Sequence, residues 1–139
     1  MVLSLPTTEQ LLTDFQENKS WDKQYKVIIQ LGKKLPGMDA QDKIETNLVR
    51  GCESLAWLMI NQEGNFYTFK MDSETRVVKG LMMILLIIYQ GKNADQIRAF
   101  DIHHYFEKLG LLKHLSPSRT NGFFTIVQKI QEVSSFEQN

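Results

Sequence analysis

The spacing of apolar residues predicts helices, then a hairpin, then more helices. Thr7-Thr8-Glu9 supplies a hydroxyl cap and an early acid, and Leu11, Leu12 and Phe15 follow on one face, so a first helix opens here. Asn18-Lys19-Ser20 breaks it, and Ser20 caps a second helix in which Trp21, Tyr25, Ile28, Ile29 and Leu31 recur at helical spacing. An aromatic stripe of this kind reads as core. Gly32 weakens the end of that helix, and Leu35-Pro36-Gly37 stops it. Residues 38–47 are polar and aperiodic, a connecting segment with at most a short turn.

From 54 to 61, Leu55, Trp57 and Met59 alternate with Ala56, Leu58 and Ile60, so both faces are apolar. That pattern suits a strand covered on both sides or a short buried helix. The following residues decide for a strand: Glu63-Gly64-Asn65 carries turn chemistry, and 66–71 are rich in aromatics with partial alternation. Asp72-Ser73-Glu74 reads as the cap and acidic first turn of a helix reaching about residue 90, apolar nearly all round and so expected at the centre of the molecule. Gly91 ends it, and Asn93 or Asp95 starts a short helix. Asp101 caps another carrying Ile102, Tyr105, Phe106 and Leu109, closed by Gly110. Leu115-Ser116-Pro117-Ser118 leads into a last helix with Phe123, Phe124, Ile126, Val127, Ile130 and Val133 as its stripe, fraying from Ser134. No repeat, low-complexity block or linker interrupts this series, so residues 1–139 read as one domain.

Charge and composition narrow the function more than the fold. Sixteen basic residues balance sixteen acidic ones with no strongly basic run, which argues against a nucleic-acid partner. With 42% hydrophobic and 23% charged residues the composition is that of a soluble globular protein. The N-terminus shows no secretory pattern, and the longest apolar run, 81–89, is far short of the roughly 20 residues that span a bilayer. A cytoplasmic protein that does not enter the membrane is the expectation.

The chain has a single cysteine, Cys52, in Arg50-Gly51-Cys52-Glu53. It has no partner for an internal disulfide or a C-x-x-C pair. Three roles stay open: a packed small hydrophobe, a nucleophile, or a carrier of something held on sulfur. Gly51 permits a positive φ and marks a loop tip where the chain could hinge. Arg50 would lower the thiol pKa and Glu53 would raise it. His103 and His104 are adjacent, about 100° apart on a helix, and His114 stands alone, so the histidines lack metal-ligand spacing. No glycine-rich phosphate loop is present. Asp72 is explained as a helix cap and Arg119 as a surface residue.

Gly51-Cys52-x-Ser54-x-x-Trp57 resembles the sulfur-acceptor signature of the SufE family. Further blocks agree in order: Trp21 to Tyr25 with Leu31-Gly32 and Leu35-Pro36, Asp72-Ser73 with Val78-Lys79-Gly80-Leu81, Phe106-Glu107-Lys108, and Leu115-Ser116-Pro117-Ser118-Arg119-x-x-Gly122. Together they cover roughly residues 7 to 130. Met71 stands where the family usually has glycine. Glu53 follows the cysteine as in the CsdE branch, whereas Ser54 and the Ser-Pro-Ser-Arg block sit closer to the SufE branch.

The resemblance implies an α+β, two-layer fold of the SufE/IscU-like kind, a small antiparallel sheet of about three strands packed by helices. It implies that Cys52 carries a persulfide received from a cysteine desulfurase, SufS- or CsdA-like, and passes sulfur towards an iron-sulfur scaffold or another acceptor. Pyridoxal phosphate would belong to the desulfurase, and no cofactor or metal to this chain. Gly51, Glu53, Asp72, Glu107 and Arg119 would support the loop or the partner dock. A homodimer stays open as the assembly. The competing reading is a binding or regulatory module of a desulfurase with Cys52 packed and inert. An independent thiol hydrolase lacks a placed base.

Overall fold

The computed structural model describes residues 5–50 and 55–136, with side chains to Val133. In chain order these form α1 (Thr8–Glu17), α2 (Trp21–Lys33), β1 (Ala56–Glu63), β2 (Phe66–Ser73), α3 (Arg76–Tyr89), β3 (Lys92–Asn93), α4 (Ala94–Ala99), α5 (Ile102–Leu109) and α6 (Pro117–Phe136). The class is α+β, with six α-helices and a three-stranded antiparallel sheet in the order β1-β2-β3 among the described residues. No described helix is long and apolar enough to cross a membrane.

Local chemistry sets the helix starts. Thr7 and Gln10 form a reciprocal capping box, with Gln10 N donating to Thr7 Oγ1 at 3.1 Å and Thr7 N donating to Gln10 Oε1 at 2.8 Å. Ser20 accepts from Lys23 N, and Asp101 from His104 N, as their positions predict. Of the two candidate starts for α4, Asn93 is the cap, again in a box with Gln96.

α3 is the centre of the molecule. Val77 and every residue from 80 to 89 are buried, and the helix lies against both α2 and β2. Its approach to α2 requires glycine. A Cβ on Gly80 would lie 2.2 Å from Ile28 O and 2.4 Å from Ile28 Cγ2, and one on Gly32 would lie 3.0 Å from Arg76 O and Gly80 N. Gly32 is therefore a contact residue of the helix crossing rather than a weak helix end. The stripe expected on α2 faces inward in part: Ile28 and Leu31 are in the core and Trp21 and Ile29 pack against it, but Tyr25 does not. Gln24, Ile28 and Leu31 are buried, while Trp21 is half-buried and Tyr25 is 41% exposed. The inward row follows 24, 28 and 31, and places the aromatic pair on its flank. There Trp21 stacks on His114 at 5.1 Å and meets Tyr25 edge-on. Gln24 tolerates burial by donating from Nε2 to Leu109 O at 3.4 Å.

Three further expectations are corrected. Asp72 and Ser73 extend β2 instead of capping α3, because β1 pairs with β2 through Ala56↔Ser73 and Trp57↔Asp72. The N-cap position of α3 is Thr75, without a side-chain cap. The polar connection 38–47 contains two 3-10 turns, Ala40–Asp42 and Glu45–Asn47. The helical backbone of α6 continues through Phe136, past the apolar stripe.

Candidate functional site

Cys52 lies outside the described residues, as do Gly51, Glu53 and Ser54. The chain on either side of them is described, and it is tied together. Leu48 is the antiparallel bridge partner of Trp57, and Val49 N donates to Ala56 O at 2.8 Å. Leu55 O accepts from Ser73 Oγ at 2.9 Å and from Glu74 N at 3.3 Å. Ser73 Oγ in turn accepts from Thr75 N at 3.2 Å, which joins the end of β2 to the start of α3. Both ends of the cysteine-bearing segment are thus fastened to the same end of the sheet.

Strand alternation shows what covers that end. In β2 the inner face carries Tyr67, Phe69, Met71 and Ser73, all buried. The outer face carries Phe66, Thr68 and Lys70, exposed or half-exposed, and then Asp72, which is 5% exposed. Directly opposite Asp72 on the same outer face is Trp57, also buried. β1 follows the same gradient: Ala56, Trp57 and Leu58 are buried on both faces, and burial fades to Glu63 at the turn. The expectation of a strand covered on both sides holds only for the end nearest Cys52.

The cover on the outer face is the strap between α2 and the cysteine segment. Met38 N donates to Asp72 Oδ2 at 3.1 Å, and Lys43 Nζ lies 3.1 Å from the same oxygen. Lys43 Nζ also sits 5.2 Å from the centre of the Trp57 ring. Asp72 Oδ1 accepts from Ser73 N at 2.8 Å and faces Lys79 Nζ at 3.7 Å. Gly37 turns the chain into this contact with φ at +74°, and a Cβ there would come within 3.0 Å of Asp72 Oδ2. Burial alone would push the Asp72 carboxyl up. The bonds from Met38 N, Lys43 and Ser73 N outweigh it and hold the carboxyl below its ordinary value.

The other predicted support residues lie elsewhere. Glu107 is exposed on α5, beside a shallow depression lined by Phe106, Gly110, Leu112 and Lys113. Arg119 is half-buried in the first turn of α6, its backbone N donating to Ser116 Oγ at 3.3 Å. Among the described residues neither forms an ion pair with Asp72. Arg50 is paired with Glu45 at 2.7 Å, both side chains exposed. Leu55 is 47% exposed, whereas Val49 and Trp57 are buried. Gly37, Met38 and Lys43 escape a reading of the sequence. The one available signal is Pro36-Gly37, which marks a turn but not its partner.

The family model described as SufE, Fe-S metabolism associated domain, matches residues 9–134. Among solved structures, the solution structure of a hypothetical protein from Thermus thermophilus is similar, with a TM-score of 0.74, 16% sequence identity, and 96% of each chain covered. At that identity the likeness shows a shared fold.

Proposed function

The chain belongs to the SufE family of domains associated with Fe-S metabolism, and on that premise we propose that it accepts sulfur from a cysteine desulfurase onto Cys52. The Cys52 thiolate attacks the terminal sulfur of a persulfide on the desulfurase cysteine. One S–S bond forms as the other breaks, the desulfurase cysteine leaves as a thiolate, and no net oxidation occurs. Cys52 then holds the persulfide and the desulfurase is free for another turnover. Pyridoxal phosphate stays with the desulfurase, and the sulfur goes on to an iron-sulfur scaffold or another acceptor.

The observation that carries this reading is the family match across residues 9–134, a span that includes the only cysteine of the chain. Two local features support it. The stretches flanking Cys52 are fastened at one end of the sheet, a rigid base from which a short segment can present a thiol. With no second thiol in the chain, nothing within it can displace the carried sulfur as a disulfide. On this reading Gly51 would serve as the hinge of the segment, since a residue without a Cβ leaves the backbone most freedom to turn.

Intact-mass measurement after mixing with a cysteine desulfurase and L-cysteine tests the proposal. Wild type gains one sulfur atom, and Cys52→Ser gains none and no longer stimulates the desulfurase, because a hydroxyl is a far weaker nucleophile. Full stimulation by the serine variant would leave Cys52 an inert packed residue.

A further inference from the structure

We propose that Lys43 is a positioning residue for sulfur transfer, fixing the base from which the Cys52 segment departs; this rests on the reading of Cys52 as the acceptor. Leu48, Trp57 and Asp72 form a row across three neighbouring stretches of chain, through the Leu48–Trp57 bridge and the Trp57–Asp72 register. Leu48 and Trp57 are the last paired positions but one before the cysteine segment on either side, since Val49 N closes onto Ala56 O. Lys43 touches two members of the row at once. Its Nζ pairs with Asp72 Oδ2 at 3.1 Å and lies over the Trp57 ring at 5.2 Å.

Chemistry explains why a lysine suits this place. Asp72 is buried on the outer face of the sheet, where no helix residue other than Lys79 reaches it among the described contacts. A buried carboxylate needs a cation, and an indole face attracts one. One ammonium meets both needs, and its backbone belongs to the strap that leads directly into Leu48. The lysine side chain is a third exposed, so the clamp is accessible to water without being free of its partners. Lys43 thereby fixes the strap, β1 and β2 against one another at the base of the cysteine segment. It does not touch the reacting atoms. A nucleophile held on a displaced base loses rate even when binding is intact.

The test uses the full chain, a cysteine desulfurase loaded with L-cysteine, and quenched single-turnover transfer read by intact mass across desulfurase concentrations. For Lys43→Met, the maximal transfer rate is expected to fall about tenfold, with the half-saturating desulfurase concentration unchanged and the circular dichroism native. Lys43→Arg, which keeps the cation, restores the rate. An unchanged maximal rate for Lys43→Met overturns the proposal. So does a change confined to the half-saturating concentration, which would make Lys43 a docking residue, or failure of the arginine to rescue. If Lys43→Met does not fold, Lys43→Gln replaces it under the same criteria. The wild type separates the two claims. No sulfur on wild-type Cys52 sinks the acceptor reading and this inference with it, whereas normal transfer by both wild type and Lys43→Met sinks only the inference.

Discussion

The α2–α3 crossing and the strap-covered end of the sheet are both close approaches between stretches far apart in the chain, built by opposite means. At the crossing, Gly80 and Gly32 remove side chains so that Ile28 and Arg76 can come near, and the surroundings are apolar. At the sheet end a single carboxylate gathers donors from the strap, from its own strand and from α3. The first contact depends on shape, and dispersion and burial hold it. The second depends on charge, and its strength follows the protonation of Asp72. A crossing held by shape therefore sits beside a conditional clamp at the place where the cysteine segment begins.

Adding one methyl group at the crossing should do the most damage. Gly80→Ala places a carbon 2.2 Å from Ile28 O, a backbone atom that cannot move without shifting α2. A loss of about 3 kcal/mol is expected, measured by chemical denaturation, and the loss should not vary with pH. A stability near wild type would mean that the helices separate easily and that the contrast between the two regions is false.

Asp72→Asn comes next, with an expected loss of about 2 kcal/mol at neutral pH, since hydrogen bonds to a charged group are the strong ones. Here pH matters. The folded carboxyl is held below its ordinary value, so its stabilisation is fully present above the unfolded value and is lost as pH falls through the folded value. Denaturation curves of wild type and Asp72→Asn should converge on acidification. A gap that stays constant with pH would show that Asp72 acts by shape, as the glycines do.

Gly37→Ala sharpens the comparison because it combines both mechanisms in one position. Its φ of +74° penalises any side chain, and the new Cβ would crowd Asp72 Oδ2. The expected cost is about 1–2 kcal/mol by thermal or chemical unfolding. Cys52→Ser should have the smallest effect on stability, within about 0.5 kcal/mol, while abolishing sulfur uptake. A large stability loss there would favour a packed thiol.

Much of the architecture was legible in one dimension because it rests on local rules. Thr7, Ser20, Asn93 and Asp101 cap helices through bonds to amides three residues away, and such bonds need no knowledge of the rest of the chain. The near-continuous apolar run in α3 could be satisfied only at the centre. The cysteine signature and the ordered blocks around it were likewise enough to reach the family.

What the tertiary structure decided are the contacts between residues far apart in sequence. Asp72 has the form of a helix cap in sequence, and only the pairing of Trp57 with Asp72 makes it a buried strand residue. Gly32 looks like a helix end until Gly80, 48 positions later, is seen against the same helix. Lys43 belongs to a polar, aperiodic connection, and nothing in its neighbours announces a partner 29 positions away. Periodicity and capping record interactions within a few residues. A buried charge is instead matched by whichever donor the fold brings near, and that choice exists only once the strap has closed over the sheet.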